Sequence, residues 1–288
     1  MTRRKFMRNL QMYIGGAIVL AFVLIGVFAS QLAPHDPLEQ IAMRRLLAPG
    51  ESFEGFNMAG EMVETSHVLG TDQFGRDILS RVIYGARVSL VVGVAAVLIG
   101  SFVGSVIGLF GGYFGGMLDV ISMRIMDVML GFPALLLALV VVTVLGASTL
   151  NVILTIAILN IPTFARIVRG STLTVKKLEY IDAIKAVGAG NFRIITVHVL
   201  PNILSPIIVQ ATLSMGTAIV LAAVLSFLGV GTPPPTAEWG GMIDAGRQFL
   251  LVSHYLILFP GIALFLFVVG VNIFGDGLRD FLEPKKHR

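Results

Sequence analysis

Residues 166–198 read RIVRGSTLTVKKLEYIDAIKAVGAGNFRIITVH and form a polar interruption between two long uncharged stretches. Neither the 38 residues before it (128–165) nor the run after it (199–237) contains an Asp, Glu, Lys, Arg or His. A transmembrane helix needs about 20 mostly apolar residues. The flanks therefore predict membrane spans, and the interruption predicts a connection that lies in water.

The composition agrees with a membrane protein. Of the 288 residues, 56% are hydrophobic and only 13% are charged, whereas soluble domains carry about 25% charged residues. The net charge of +4 does not indicate nucleic-acid binding, because the basic residues lie in the gaps between apolar runs. The absence of cysteine excludes disulfides, thiolate nucleophiles and cysteine metal sites. The five histidines have no metal-ligand spacing, so we expect neither a metal site nor catalytic residues.

The apolar segments predict an all-α polytopic membrane protein with six transmembrane helices. The segments are 9–34, 88–118, 128–165 (two helices joined by a turn at 146–149), 199–229 and 248–275. Pro133 and Pro162 fall inside them and are expected to kink their helices.

The distribution of basic residues predicts the orientation. Fifteen of the 21 Lys and Arg fall on the side that holds both termini and the 166–198 segment. By the positive-inside rule, this side is cytoplasmic. Residues 1–33 admit another interpretation, a signal peptide cleaved near Val27-Phe28-Ala29. An uncharged run of 26 residues exceeds the 7–15 of a signal peptide's apolar region, which favours an uncleaved span.

The acidic segment from His35 to Arg87 is predicted to be external, as a cap, a docking surface or a solvated loop. Its second half has apolar residues at helical spacing, which predicts a helix packed on the membrane surface: Ile78, Val82, Ile83 and Ala86.

Five glycines recur every four residues in the second span: Gly100, Gly104, Gly108, Gly112 and Gly116. A step of four drifts by about 40° around a helix, so about three should share a face. Small residues let helices approach closely in lipid. The pattern predicts a tight helix contact, and a contact that slides during transport is the alternative.

The interruption contains a short amphipathic pattern that ends at Gly188. Its charged face is Glu179, Asp182 and Lys185, and its apolar face is Tyr180, Ala183, Ile184 and Val187. Such a helix fits the cleft of a soluble subunit or the membrane surface. The physical pattern alone leaves both interpretations open.

Asp182-Ala183-Ile184, Gly188 and Leu200-Pro201 resemble the EAA loop of ATP-binding-cassette importer permeases. That signature is Glu-Ala-Ala, a glycine four residues after the second alanine, and Leu-Pro about a dozen residues later. Asp182 replaces the glutamate here, and Ile184 replaces the second alanine.

Three other segments resemble the dipeptide, oligopeptide and nickel branch of these importers, and within it the second, C-type permease. They are LGTDQFGRDILSRVIYGARVSL at 69–90, SFLGVGTPPPTAEWGGMI at 226–243 and GDGLRDFLEPK at 275–285. The resemblance extends from about residue 8 to the end of the chain.

The resemblance implies a type I importer permease bundle that forms half of a translocation path for dipeptides or oligopeptides in a prokaryotic cell membrane. It implies three regions: 1–87 (tail, first span and external loop), 88–280 (core with the EAA loop at about 166–198) and the basic tail 281–288. The implied partners are a homologous second permease, two cytoplasmic ATPases, an external solute-binding protein and the lipid bilayer. ATP and Mg²⁺ belong to the ATPases, since this chain has no phosphate loop of the form GxxxxGK[ST].

The same resemblance implies which residues contact the ATPase: Tyr180, Asp182, Ala183, Gly188, Leu200 and Pro201. Candidate groups lining the substrate path are Ser214, Thr217 and Ser226, which interhelical hydrogen bonds also explain. A secondary transporter or channel would normally need ionisable residues inside the spans. An intramembrane enzyme would need a cluster of catalytic side chains. The sequence contains neither pattern, and it leaves the cargo open.

Overall fold

A computed structural model describes residues 2–56 and 62–282 of the chain. Helices dominate it, and they are α1 (Thr2–Val27), α2 (Ala29–Leu32), α3 (Ile78–Phe114), α4 (Gly116–Leu130), α5 (Ala134–Leu145), α6 (Thr149–Lys176), α7 (Glu179–Ala186), α8 (Asn191–Arg193), α9 (Leu200–Phe227), α10 (Trp239–Gly246) and α11 (Tyr255–Leu282). Short 3₁₀ turns span Ala42–Arg44 and Arg247–Phe249, and a π-helical turn spans Ile194–Val199. The predicted tail 281–288 lies outside the described residues from position 283.

Five helical segments of the described chain are long and apolar enough to span a membrane. They are Leu10–Val27 within α1, α3, α6, the continuous helix 191–227, and α11. Helices α4 and α5 pass the same test only together and are bent by 97°, as in a broken span or a re-entrant loop, so the described chain has five or six candidate spans against the six predicted. Pro133, which precedes α5 with an extended ψ of 125°, produces this break because proline cannot continue a helix. Pro162 lies within α6, which continues through it.

Helix α3 corrects the expectation of a separate helix on the membrane surface. The helix begins at Ile78, where the Asp77 side chain accepts a hydrogen bond from the Ser80 N–H at 2.7 Å, and it continues without a break to Phe114. The chain has no proline or glycine pair near position 88 that would separate a surface helix from a span. The proposed region boundary at 87/88 therefore lies inside one helix.

The tight contact predicted for the glycine row is present between α3 and α6. A Cβ built on Gly100 would lie 2.7 Å from the Ala157 carbonyl oxygen, and one on Gly104 would lie 2.5 Å from the Ile161 carbonyl oxygen. Gly108 and Gly112 meet the next two turns of α6. Four glycines share the contact, one more than expected, because helices cross along the ridge that residues four apart form.

We call the two ends of the bundle the sheet end and the α7 end. The sheet end contains an antiparallel hairpin of β1 (Ser52–Phe56) and β2 (Met62–Ser66), in which Ser52 pairs with Ser66. This hairpin was not predicted from the sequence. Beside it, the buried Trp239 donates from its indole N–H to the Val82 carbonyl at 3.0 Å and packs edge-on against Phe22. These contacts join α1, α3 and α10.

Candidate functional site

Helix α7 stands at the end of the bundle opposite the hairpin, between α6 and α8. Only Lys177 and Leu178 separate it from α6. The extended backbone of Leu178, with ψ of 136°, turns the chain. Glu179 and Asp182 lie in the first turn of α7 and Lys185 in its last, where charges of these signs interact favourably with the helix dipole.

Ile181 attaches α7 to the bundle. Its side chain is fully buried in a cluster that draws on α3, α6, α9 and the π-helical turn. The other buried members are Leu109, Tyr113, Val168, Val175, Ile194, Ile195, Val199 and Ile203. The apolar face predicted from the sequence is therefore displaced around the helix. Ile181 and Ile184 face the core, whereas Tyr180, Ala183 and Val187 are exposed.

Gly188 ends α7 in a Schellman motif. The Ala189 N–H donates to the Ile184 carbonyl at 3.2 Å, and the Gly188 N–H donates to the Lys185 carbonyl at 2.9 Å. Gly188 has a φ of +87°, which lies in the left-handed region that favours glycine. The predicted helix stop is confirmed at this residue.

Tyr180 connects α7 to the start of α9. The Asn202 side-chain amide donates to the Tyr180 hydroxyl at 3.2 Å and to the His198 carbonyl at 2.7 Å. The structure thus brings Tyr180 close to the Leu200-Pro201 pair. All three residues belong to the set that the resemblance predicts to contact the ATPase. Asn202 and Ile181 were missed by the sequence analysis, although Asn202 directly follows the Leu-Pro pair.

A second polar connection reaches the same region from α3. The Tyr113 hydroxyl donates to the Asn191 side-chain oxygen at 2.9 Å, and the Lys176 ammonium group donates to the Tyr113 carbonyl. Helix α3, the end of α6 and the segment after α7 are therefore held together at one point.

The segment between α8 and α9 is helical and continuous. The Leu200 N–H bonds to the Ile195 carbonyl, five residues back, at the end of the π-helical turn. Pro201 follows at the start of α9 and has no N–H to donate. The helix continues through this turn, so α8, the π-helical turn and α9 form one continuous helical segment.

The surface presented by α7 and α8 combines apolar side chains with small charged ones. Val187 is 85% exposed, Phe192 is 79% exposed and Tyr180 is 40% exposed. Asp182 is also exposed, and it pairs with Lys185 at 3.1 Å on the same helix. Ala183 and Pro201 are exposed, and Leu200 is half-buried. We call Tyr180, Asp182, Ala183, Val187, Gly188 and Phe192 the α7 surface.

The three candidate path residues on α9 do not form one group. Ser214 and Ser226 are buried, whereas Thr217 is exposed and donates to the Ser214 carbonyl at 3.0 Å. Ser226 lies at the sheet end and accepts a hydrogen bond from the Thr232 N–H at 3.4 Å. It also contacts Glu238, whose pKa is raised by burial. Their role in a substrate path stays a prediction.

Comparison with known families agrees with this geometry. Residues 97–288 match the family described as the binding-protein-dependent transport system inner membrane component. The chain belongs to this family. Residues 1–49 match the N-terminal transmembrane domain of oligopeptide transport permease C, which confirms the predicted C-type branch.

Two relatives are similar over almost the whole permease. The glutathione transport system permease protein GsiD of Salmonella typhimurium is 45% identical over 282 residues, covering 98% of this chain and 89% of the relative. The dipeptide transport system permease protein DppC of Alkalihalophilus pseudofirmus is 44% identical over 282 residues, covering 98% and 88%.

A solved structure of the MetNI methionine ABC transporter, in an inward-facing conformation, contains a chain of the same fold. The TM-score is 0.57 at 18% identity, and the match covers 70% of this permease and 96% of that chain. The predicted fold is confirmed as the type I importer permease bundle. The permease is a multi-pass inner-membrane subunit of an ATP-driven importer, which works with ATPase and binding-protein subunits. A secondary transporter or channel is not supported.

Proposed function

We propose that the permease imports small peptides and is driven through α7, which docks into a cleft of a cytoplasmic ATPase subunit. The observation that carries this proposal is the division of α7 into two faces. Ile181 is fully buried in the bundle, whereas Val187 and Tyr180 of the same helix project outward. A helix lying on a membrane surface would bury those side chains in lipid, but charged Glu179 and Asp182 border them here.

The connections behind α7 fit the transfer of motion. A displacement of α7 acts on α9 through the Asn202–Tyr180 hydrogen bond, and on α3 through the buried cluster that contains Ile181, Leu109 and Tyr113. ATP binding would close two ATPase subunits and draw the coupling helices of two permeases together. Hydrolysis would release them. This is alternating access driven by a ligand that binds two states with unequal affinity.

The partner arrangement follows from the same proposal. A homologous second permease would supply the other half of the path, and ATP with Mg²⁺ would be bound by the ATPases. An external binding protein would deliver the cargo at the sheet end. The names of the relatives, a glutathione permease and a dipeptide permease, favour peptides of two or three residues.

A labelling experiment tests the orientation, because the chain has no cysteine of its own. Leu251, at the sheet end, is 99% exposed, and Val187, at the α7 end, is 85% exposed. In intact cells, a membrane-impermeant maleimide should label Leu251→Cys, while Val187→Cys should react only after the membrane is opened. Labelling of Val187→Cys in intact cells would show that the orientation is opposite to the one proposed.

The function is tested with the permease co-expressed with its ATPase and second permease and reconstituted in proteoliposomes. Replacing Val187 with Asp should weaken co-purification of the ATPase by about tenfold or more, since a buried charge at an interface costs more than 1.4 kcal/mol. The matched control is Leu251→Asp, outside the spans at the sheet end, where the side chain is 99% exposed. Full co-purification of ATPase with Val187→Asp would contradict the docking surface. If the wild-type complex takes up neither dipeptides nor glutathione, the proposed cargo is wrong, whereas the proposed docking surface is unaffected.

A further inference from the structure

Three residues with metal-binding side chains meet at the sheet end, far from the α7 surface. They are His35, which follows the first span, His67, which follows β2, and Asp77, which caps α3. One ligand atom of each residue lies within 4.8 Å of those of the other two. The centroids of the two imidazole rings are 4.7 Å apart.

Asp77 orients His67. One carboxylate oxygen lies 2.9 Å from His67 Nδ1, and the other accepts a hydrogen bond from the Ser80 N–H at 2.7 Å. Because the carboxylate only accepts, the Nδ1 atom carries the proton. The remaining nitrogen, Nε2, then holds its lone pair free for another group. A carboxylate that holds one histidine nitrogen while the other binds a metal is a common arrangement in metal sites.

The Nε2 atom of His67 has nothing to bind within the described chain. His67 is 2% exposed, and its Nε2 atom is buried without a hydrogen-bond partner among those residues. Burial of a polar atom without a hydrogen-bond partner is unfavourable. A ligand that accepts this lone pair would remove that cost.

His35 supplies a second nitrogen. Its Nε2 atom lies 3.2 Å from the Ser66 carbonyl, which only accepts hydrogen bonds, so this nitrogen carries the proton and Nδ1 holds a lone pair. The His35 backbone N–H donates to the Ser80 hydroxyl at 3.0 Å. The same first turn of α3 therefore positions both histidines.

We propose that His35 and His67 bind one divalent first-row transition-metal ion, with Asp77 as the group that orients His67. Imidazole nitrogens suit Zn²⁺, Cu²⁺ and Ni²⁺. Zinc binds them at about 2.0–2.1 Å, and water would complete the coordination. Such an ion would hold three segments together: the residues after α2 through His35, the end of the hairpin through His67, and the start of α3 through Asp77. The proposal departs from the sequence-based expectation of no metal site.

The test uses the full-length permease in lipid nanodiscs, purified with a tag that contains no histidine. Zinc affinity is measured by competition with a chromophoric chelator, and zinc content by mass spectrometry after dialysis. We expect about one Zn²⁺ per chain. Asp77→Asn should weaken binding by about 10–100-fold, while it keeps the helix cap because Asn and Asp cap equally well.

Two histidine variants complete the test. His67→Gln should abolish stoichiometric binding, and His254→Gln, at an exposed histidine outside the group, should bind as the wild type does. Circular dichroism confirms that each variant is folded. If His67→Gln does not fold, Asp77→Asn and His35→Gln decide the question, and wild-type affinity in both would overturn the proposal. Less than a tenth of an equivalent of Zn²⁺ on the wild-type chain would overturn it as well.

Discussion

Replacing Gly188 with Trp should abolish uptake while the permease still inserts and folds. Gly188 has a φ of +87°, and apart from its chain neighbours no atom of the described residues lies within 4 Å of a Cβ built on it. The backbone strain of a non-glycine residue there is about 1–2 kcal/mol, too small to unfold the protein. The indole would project from the α7 surface and prevent α7 from entering the ATPase cleft. Uptake into proteoliposomes and the amount of ATPase that co-purifies measure the effect.

Gly146→Trp is the matched control for this variant. Gly146 lies in the turn between α5 and α6, has a φ of +88°, and is equally open to a Cβ. It therefore carries the same strain at the opposite end of the bundle. We expect Gly146→Trp to retain the co-purified ATPase and Gly188→Trp to lose it. Equal loss in both variants would mean that strain, and not docking, is responsible.

Gly104→Ala should destabilise the bundle, although Ala normally stabilises a helix relative to Gly. The added Cβ would meet the Ile161 carbonyl oxygen at 2.5 Å and Phe164 Cβ at 2.7 Å. These two clashes are relieved only if α3 and α6 move apart, and overpacking of this kind destabilises a protein by about 1–3 kcal/mol. We expect a lower thermal midpoint in nanodiscs for Gly104→Ala. The larger Gly104→Leu should not be recovered as folded protein.

Gly170→Ala supplies the comparison for the glycine contact. Gly170 lies on α6 and is exposed, and outside its own helical turn no atom in the part of the chain that the structure describes lies within 4 Å of a built Cβ. Since Ala is favoured over Gly in a helix interior by about 0.5–1 kcal/mol, its midpoint should be unchanged or higher. A Gly104→Ala protein as stable as Gly170→Ala would show that the α3–α6 contact is looser than the structure indicates.

The spans and the helix stop at Gly188 could be predicted from the sequence because each depends on local properties. Apolar length predicts a span, and glycine alone adopts a positive φ without strain. The break at Pro133 was located, but its 97° angle depends on how α5 packs against the rest of the bundle. The start of α3 at Ile78 was attributed to a surface helix, since apolar spacing does not distinguish a separate helix from the extension of a span.

The parts that could not be predicted depend on contacts distant in the chain. Ile181 is the buried residue of α7 because π-helical residues such as Ile194 pack against it, and helical periodicity alone does not identify that partner. His35 and His67 are separated by an intervening hairpin, so no local ligand spacing relates them. Their proximity results from the hairpin folding back toward the start of α3.

The 37 residues of α3 make a helix about 55 Å long, against a hydrocarbon core of about 30 Å. One end carries Asp77 beside the two histidines, and the other carries Tyr113 beside Asn191. If α3 pivoted about one end, a tilt of about 5° would displace the other by about 5 Å. A rigid tilt of this one helix would therefore displace the histidine pair and the segment after α7 together, so that α3 would couple the two ends of the bundle mechanically.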